Sequence, residues 1–318
     1  MSGNTCHFMS LDRGLEKPTH GGRINMEGDL FGLIERTGRP TLGVVAISRN
    51  EEQDLPGFFK HLLPWVDQII IVDDASADRT GDIARNAGPK VNVIEHPMDR
   101  ELGFAGQRNI GIEASTADWL LHMDVDERVT PELAEEILKS IWDTTKNGYR
   151  YRRLNYFLHH PMRGGGWQYW NFPQLARRGK HYFKDPIHEK CVVDRQPESV
   201  GQLKGYMWHL NDVNYTERLR KDMLHIQLEA NSILSYGTNV LWYHLLLNPV
   251  LRALRSFFLQ GGYREGSRGL IFAMYTFVRT FNLWAFVWDR QNTIPREALE
   301  EEMESCWKRV IREKGKTT

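Results

Sequence analysis

The chain has 318 residues, enough to bury one large core and carry an appendage. Its 41% apolar and 26% charged residues are those of a globular protein, and the equal totals of basic and acidic side chains, 41 each, give no global argument for nucleic acid. Three widely spaced cysteines, Cys6, Cys191 and Cys306, exclude a disulfide framework or a Cys-based zinc site and fit a reducing cytoplasm.

Residues 1–40 mix Gly, Arg, Asp, Glu and His without an apolar stretch, so they read as a flexible N-terminal extension with no signal peptide. From Thr41 the pattern alternates. Strands are expected at Leu42–Ile47, Gln68–Val72, Val91–Ile94 and Trp119–Met123. Helices are expected at Glu51–Leu63, Ala77–Ala87, Phe104–Ala114 and Pro131–Trp142, the last with Thr130 as its N-cap and Pro131 in its first turn. This alternation predicts an α/β domain over residues 41–212, built on a mostly parallel, Rossmann-like sheet covered on both faces. Ligands then bind beyond the carboxyl ends of the strands. After Asn147 the texture changes to aromatics alternating with Arg over Tyr149–Phe157 and a Gly164-Gly165-Gly166 loop. Further strands follow near Gln174–Arg177, Lys190–Val193 and Leu203–Trp208. Residues 213–318 form a C-terminal helical extension, with helices expected at Tyr215–Tyr236, Val240–Gln260, Arg268–Trp288 and Arg296–Lys314.

Acidic residues mark the strand tips. Asp73-Asp74 end the second strand, and Asp124-Val125-Asp126-Glu127 end the fourth. Clustered carboxylates raise one another's pKa and persist where a cation or ligand offsets the repulsion. One pair therefore reads as a nucleotide grip, the other as the seat of a divalent metal on a diphosphate. Between Thr144 and Arg195, eleven Lys/Arg face three Asp/Glu, an excess of eight that suits either solvated surface or an anionic acceptor.

Four stretches in order, Ser48-Arg49-Asn50-Glu51-Glu52, Val72–Thr80, Gln107-Arg108-Asn109-Ile110-Gly111 and Asp124–Glu127, resemble the family 2 glycosyltransferases. The likeness is closest to the bacterial branch that adds a sugar to lipopolysaccharide inner core, and it covers roughly Thr41–Asp212. It implies the glycosyltransferase A fold and inverting, metal-assisted transfer from a nucleotide sugar, with a UDP-hexose (glucose first) as donor and Mg2+ or Mn2+ as cofactor. The acceptor it implies is a lipid-linked glycan or oligosaccharide.

Three services are then needed. Asp74 suits the uracil ring nitrogen, and Glu51, with Ser48 and Asn50 beside it, suits the same nucleoside. Asp126 is the best metal ligand, since hard cations take carboxylate oxygens. Asp124 faces the ribose or a metal-bound water, the resemblance adds His209 as a second ligand, Arg108 suits phosphate charge and Asn109 the donor. Finally, Pro186-Ile187-His188-Glu189 resembles the stretch that carries the base in this branch, making Glu189 the catalytic base, with His188 to orient it and Asp185 as fallback. Plainer roles compete: a turn for Asp73 and Asp78, a surface ion pair for Arg108, a loop salt bridge to Lys190 for Glu189, a structural role for His209. The glycine loop lacks a following Lys-Ser/Thr and reads as a flexible lid, beside which Trp167, Tyr169, Trp170 and Phe172 stack on sugars or pack under the sheet.

The helical extension is apolar in pieces. Arg279 interrupts Gly269–Trp288, its best candidate span, which disfavours crossing a bilayer. Helices lying in the membrane interface, with Arg252, Arg255, Arg264 and Arg268 toward head groups, place the protein peripherally on the inner face of the cytoplasmic membrane. Two other functions compete. A haloacid-dehalogenase-type phosphatase also ends a strand with Asp-x-Asp, but wants Thr or Val where Arg128 stands. A non-catalytic lipid-glycan binder is the other.

Overall fold

The computed structural model describes residue 32 and residues 37–99, 101–186, 189–211 and 214–314. Most of the expected N-terminal extension, and His188, lie outside the described residues. The strands are β1 (Leu42–Ser48), β2 (Gln68–Asp73), β3 (Val91–Glu95), β4 (Trp119–Asp124), β5 (Glu127–Val129), β6 (Gly148–Phe157), β7 (His160–Pro161), β8 (Asn171–Arg177), β9 (His181–Lys184), β10 (Lys190–Val193) and β11 (Val200–His209). The α-helices are α1 (Leu55–Leu62), α2 (Thr80–Arg85), α3 (Gly103–Ala114), α4 (Pro131–Ser140), α5 (Tyr215–Ser235), α6 (Trp242–Leu245), α7 (Leu247–Leu254), α8 (Ser267–Asn292) and α9 (Arg296–Lys314).

The main sheet runs β3-β2-β1-β4-β8-β6-β11-β5, with β7 paired to β6. β1 is parallel to β2 and β4, β2 to β3, and β6 to β11. β8 is antiparallel to both β4 and β6, which sets β6 and β11 in the same sense as β4. Their carboxyl ends therefore share one edge, as the alternating pattern predicts, and β8 and β5 run against them.

Burial on both faces explains the unbroken apolar runs in β1, β2 and β4. Val44, Ala46, Ile69, Ile71, Leu121 and Met123 pack under α1, α2 and α4. Val45, Ile70, Val72 and Leu120 pack under α3 on the other face, which the β9–β10 hairpin extends. Each of these large aliphatic side chains contributes about 1.5–3 kcal/mol by leaving water. The tight fit of α3 needs Gly111, where a Cβ would come within 2.3 Å of Val45 Cγ1.

Local chemistry explains where expected elements shift. Thr130 Oγ1 accepts from Leu133 N at 3.3 Å, so α4 begins as read. By contrast, Asp78 Oδ1 accepts from Thr80 N at 2.9 Å and delays α2 to Thr80. The single helix expected over Val240–Gln260 is broken at Leu246, because Pro249 has no N–H for the Leu245 carbonyl; a π-helical turn, Arg255–Leu259, follows α7.

The glycine loop is not a lid. Gly165 N donates to Gln260 O at 2.9 Å, Ser256 Oγ donates to Gly165 O at 2.9 Å, and a Cβ on Gly164 would lie 2.5 Å from Gly261 O. Phe157, Met162, Phe272 and Tyr275 complete this junction between sheet and helices. Among the described residues, α8 alone is long and apolar enough to cross a membrane. Its mid-helix Arg279 is paired instead with α5, through Asp222 at 3.0 Å and Glu229 at 2.8 Å.

Candidate active site

Strand register brings the acidic tips together. Ser48 lies opposite Asp73, Ile47 opposite Asp124, and His209 is flanked by Asn155 and Glu127 on its two neighbours. A cavity of about 1210 Å³ opens at this edge, lined by Ser48, Glu51, Asp74, Asp124, Asp126 and His209 among others. It exceeds the roughly 300–1,000 Å³ of ordinary small-ligand pockets and has room for two substrates.

At the β1–β2 tips, Asp73 is buried and structural. Its Oδ1 accepts from Ser48 Oγ at 2.8 Å and Ser76 Oγ at 2.6 Å, and its Oδ2 accepts from Ser76 N at 3.0 Å, which makes a side-chain-stabilised turn. That turn presents Asp74 to the cavity, its carboxylate held by Met98 N at 2.7 Å and Arg49 Nη1 at 2.8 Å. Asn50 does not line the cavity. Its Oδ1 accepts from Ala77 N and its own N–H donates to Ser76 Oγ, so it staples the loops after β1 and β2. Glu51 does line it, and its carboxyl is pushed up to about 7 by burial and then by the negative charge of Asp126.

Behind the β4 tip, Arg108 is 3% exposed and fully engaged: Nη2 donates to Asp124 Oδ1 at 2.5 Å, Nη1 to Met123 O at 3.3 Å and Nε to Glu189 Oε1 at 3.0 Å. Arg153 holds the other Asp124 oxygen at 3.1 Å and also Glu127, at 2.6 Å. Burial opposes ionisation of Asp124, but Arg108 and then Arg153 more than offset it and hold its pKa well below the usual carboxylate range.

Three of the expected site residues stand outside the cavity lining. Arg108 does not line the cavity, so it braces carboxylates rather than facing phosphate. Asn109 faces away: its Nδ2 donates to Phe183 O and its Oδ1 accepts from Phe183 N, a two-bond clasp on β9 beside a smaller cavity. Glu189 pairs with Arg108 and not with Lys190, which pairs with Asp185 at 3.3 Å. Glu189 does not line the cavity either.

Asp126 and His209 do converge. The ligand atoms of Asp124, Asp126 and His209 all lie within 4.8 Å of one another. Asn155 Nδ2 donates to Trp167 O at 3.3 Å, which turns Asn155 Oδ1 toward His209 Nδ1 at 2.7 Å. An amide oxygen only accepts, so Nδ1 donates there and Nε2 is the ring nitrogen that faces Asp126 Oδ1, 3.3 Å away. A proton on Nε2 or a cation between the two atoms satisfies both. A carboxylate plus an imidazole oriented by an outer hydrogen bond fits a divalent ion such as Mn2+ or Mg2+. Asp124, saturated by two arginines, is the weaker third ligand.

The cavity lining also includes Trp167, Tyr169, Trp170 and Phe172, with the Arg153 guanidinium 4.1 Å from the centroid of Trp170. It also holds Asn211 and, from α5, Arg218, Lys221 and His225, none of which stood out in the sequence. Their spacing, i, i+3 and i+7 on one helix face, was the available signal.

Residues 43–196 match the family model for glycosyl transferase family 2. The lipopolysaccharide core biosynthesis glycosyltransferase LpsC of Rhizobium meliloti is 27% identical over 232 residues, 70% of this chain and 83% of LpsC. An uncharacterized glycosyltransferase of Rickettsia typhi is 24% identical over 254 residues, 74% of this chain and 84% of that one. Distant similarity extends to a solved structure of TarS 1-349 from S. aureus (TM-score 0.40, 14% identity, 80% of this chain and 93% of that one). It extends also to glucosyl-3-phosphoglycerate synthase of Mycobacterium tuberculosis (TM-score 0.43, 15% identity, 66% and 84%). The match to glycosyl transferase family 2 covers residues 43–196, which include Asp74, Asp124 and Asp126 at the carboxyl edge of the mostly parallel sheet.

Proposed function

We propose that the enzyme moves a hexose from a UDP-sugar, with inversion, to a lipid-linked glycan such as lipopolysaccharide core, and needs Mg2+ or Mn2+. One observation carries this reading: Asp74, Glu51, Asp126 and His209 line a single cavity large enough for donor and acceptor. Asp74 and Glu51 orient the nucleoside. Asp126 and His209 are the residues that hold the cation, which when bound offsets the charge of the departing diphosphate. Asp124 is kept ionised by Arg108 and Arg153 and orients ribose or water. The aromatic wall from Trp167 to Phe172 stacks on the acceptor sugars.

In the transfer, the acceptor hydroxyl oxygen forms a bond to the anomeric carbon as the bond from that carbon to the diphosphate oxygen breaks. The hydroxyl proton passes to a base. Glu189 is assigned that role on the family resemblance. It lies across the Arg108 guanidinium from Asp124, so the Arg108–Glu189 pair must open when the acceptor binds.

The likeness to LpsC supports a lipopolysaccharide acceptor. Exposed Leu251, Phe258 and Leu259, near exposed Arg252 and Arg255, support peripheral attachment to the cytoplasmic face of the inner membrane. Screening UDP- and GDP-sugars for nucleotide release with extracted glycolipid tests the assignment. UDP released only when acceptor and divalent ion are both present is the expected result. Glycolipid binding without release from any donor would instead mean a non-catalytic binder.

A further inference from the structure

We propose that α5, from the helical extension, gives the catalytic cavity a phosphate-binding wall, in which Lys221 and Arg218, with Asn211 beside them, receive an oxyanion of a bound substrate. The inference rests on the glycosyl-transfer reading and names a second set of residues for it.

The strand edge alone has the wrong sign for such a ligand. Asp74, Asp124, Asp126 and Glu51 line it; Arg49 and Arg153 line it too, but Arg49 is paired with Asp74 and Arg153 with Asp124 and Glu127. A diphosphate or phosphorylated sugar entering there meets like charge beyond what one divalent ion at Asp126 and His209 offsets, unless further cations face it. Arg218 and Lys221 lie three residues apart on the α5 face that lines the same cavity.

Both heads are fixed in place. Lys221 Nζ donates to Asn211 O at 2.8 Å and lies 3.1 Å from Glu217, and its positive charge opposes the raised proton affinity of Glu51. An ammonium serves phosphate as a point charge. Arg218 Nε donates to Tyr275 Oη at 3.1 Å, and its guanidinium sits 5.6 Å from the centroids of both Trp167 and Tyr275. The cation thus stands next to the aromatic wall, an arrangement suited to an anionic sugar.

Asn211 is the independent sign of a ligand. It lines the cavity at 6% exposure, its φ is +46°, and its Oδ1 is buried with no hydrogen-bond partner among the described residues. An orphaned amide oxygen accepts, so a hydroxyl or water of a bound substrate would satisfy it. Arg279 of α8 is a positioning residue, since its bonds to Asp222 and Glu229 hold α5 against α8.

The oxyanion has two possible sources, the donor diphosphate and a phosphate on the acceptor, and calorimetry with steady-state kinetics separates them. UDP and uridine are titrated with Mn2+ into wild type, Lys221→Met, Lys221→Arg and Arg218→Met. KM is measured for glycolipid and for its dephosphorylated form. A donor site predicts UDP affinity at least about 10-fold weaker in Lys221→Met, uridine affinity unchanged and most of the loss restored in Lys221→Arg. An acceptor site predicts UDP affinity unchanged and a KM raised at least about 10-fold for phosphorylated but not dephosphorylated glycolipid in Arg218→Met. Variants that melt like wild type yet change none of these values by more than about twofold overturn the proposal, as does an equal loss for UDP and uridine. If wild type binds no UDP with any divalent ion, the donor assignment fails, and inorganic pyrophosphate then tests the α5 wall on its own.

Discussion

Arg108 holds Asp124 and Glu189 with one guanidinium, 2.5 Å to the first and 3.0 Å to the second, and so ties the β4 tip to the segment before β10. Removing it takes a cation from two partly exposed carboxylates, and Asp124 keeps Arg153. Arg108→Met is expected to cost about 1–3 kcal/mol, read from denaturant unfolding, and adding Asp124→Asn should recover part of that loss. A variant as stable as wild type would show that the pair does not hold the fold.

The same contact constrains Glu189. Glu189→Gln keeps the shape but cannot take the acceptor proton, so transfer should fall by at least about 10²-fold while UDP affinity holds. Isothermal titration alongside single-turnover transfer separates the two, and undiminished transfer would move the base elsewhere.

His61 should set an acid limit on stability. Val129 N donates to its Nε2 at 3.2 Å, while its Nδ1–H donates to Gly57 O at 3.1 Å, so the buried ring is neutral and burial lowers its pKa from the usual 6.5 to about 4. Between those values the unfolded chain binds the proton and the folded chain does not. The stabilisation is therefore complete above about 6.5 and drains away as pH falls through about 4. Its size is on the order of 3 kcal/mol. Unfolding free energies of wild type and His61→Gln, compared from pH 7 to 4, should converge toward the acid end; parallel curves would contradict this.

The sequence announced the strands that carry the site, and physics says why. β1, β2 and β4 are buried on both faces, so Leu42–Ile47, Gln68–Val72 and Trp119–Met123 stand out as apolar runs, and Asp74 and Asp126 mark where those runs reach solvent. Short or antiparallel pieces left less trace: β5 is three residues long, and β8 runs against its neighbours from Asn171. Partnerships across the chain left none. That Asn109 clasps Phe183, that Glu189 answers Arg108 and that α5 returns to the cavity are decided by packing between distant segments. The motif around Arg108 and Asn109 was visible, but the direction each side chain faces was not.

The exposed apolar surface of α7 and the π-helical turn should bind anionic vesicles. Sedimentation with phosphatidylglycerol liposomes is expected to capture the wild type and to lose Leu251→Glu/Phe258→Glu, with high salt weakening capture through the arginines. Equal capture of the double variant would assign that face to another contact.

The most direct test is UDP affinity with and without Mn2+ or Mg2+, in wild type, Asp126→Ala and His209→Ala. Cooperation of these two side chains in holding a cation on the diphosphate predicts binding at least about 10-fold tighter with the ion in wild type, a gain lost in both variants. Equal affinity with and without the ion in wild type, or a gain that survives Asp126→Ala, would contradict the account.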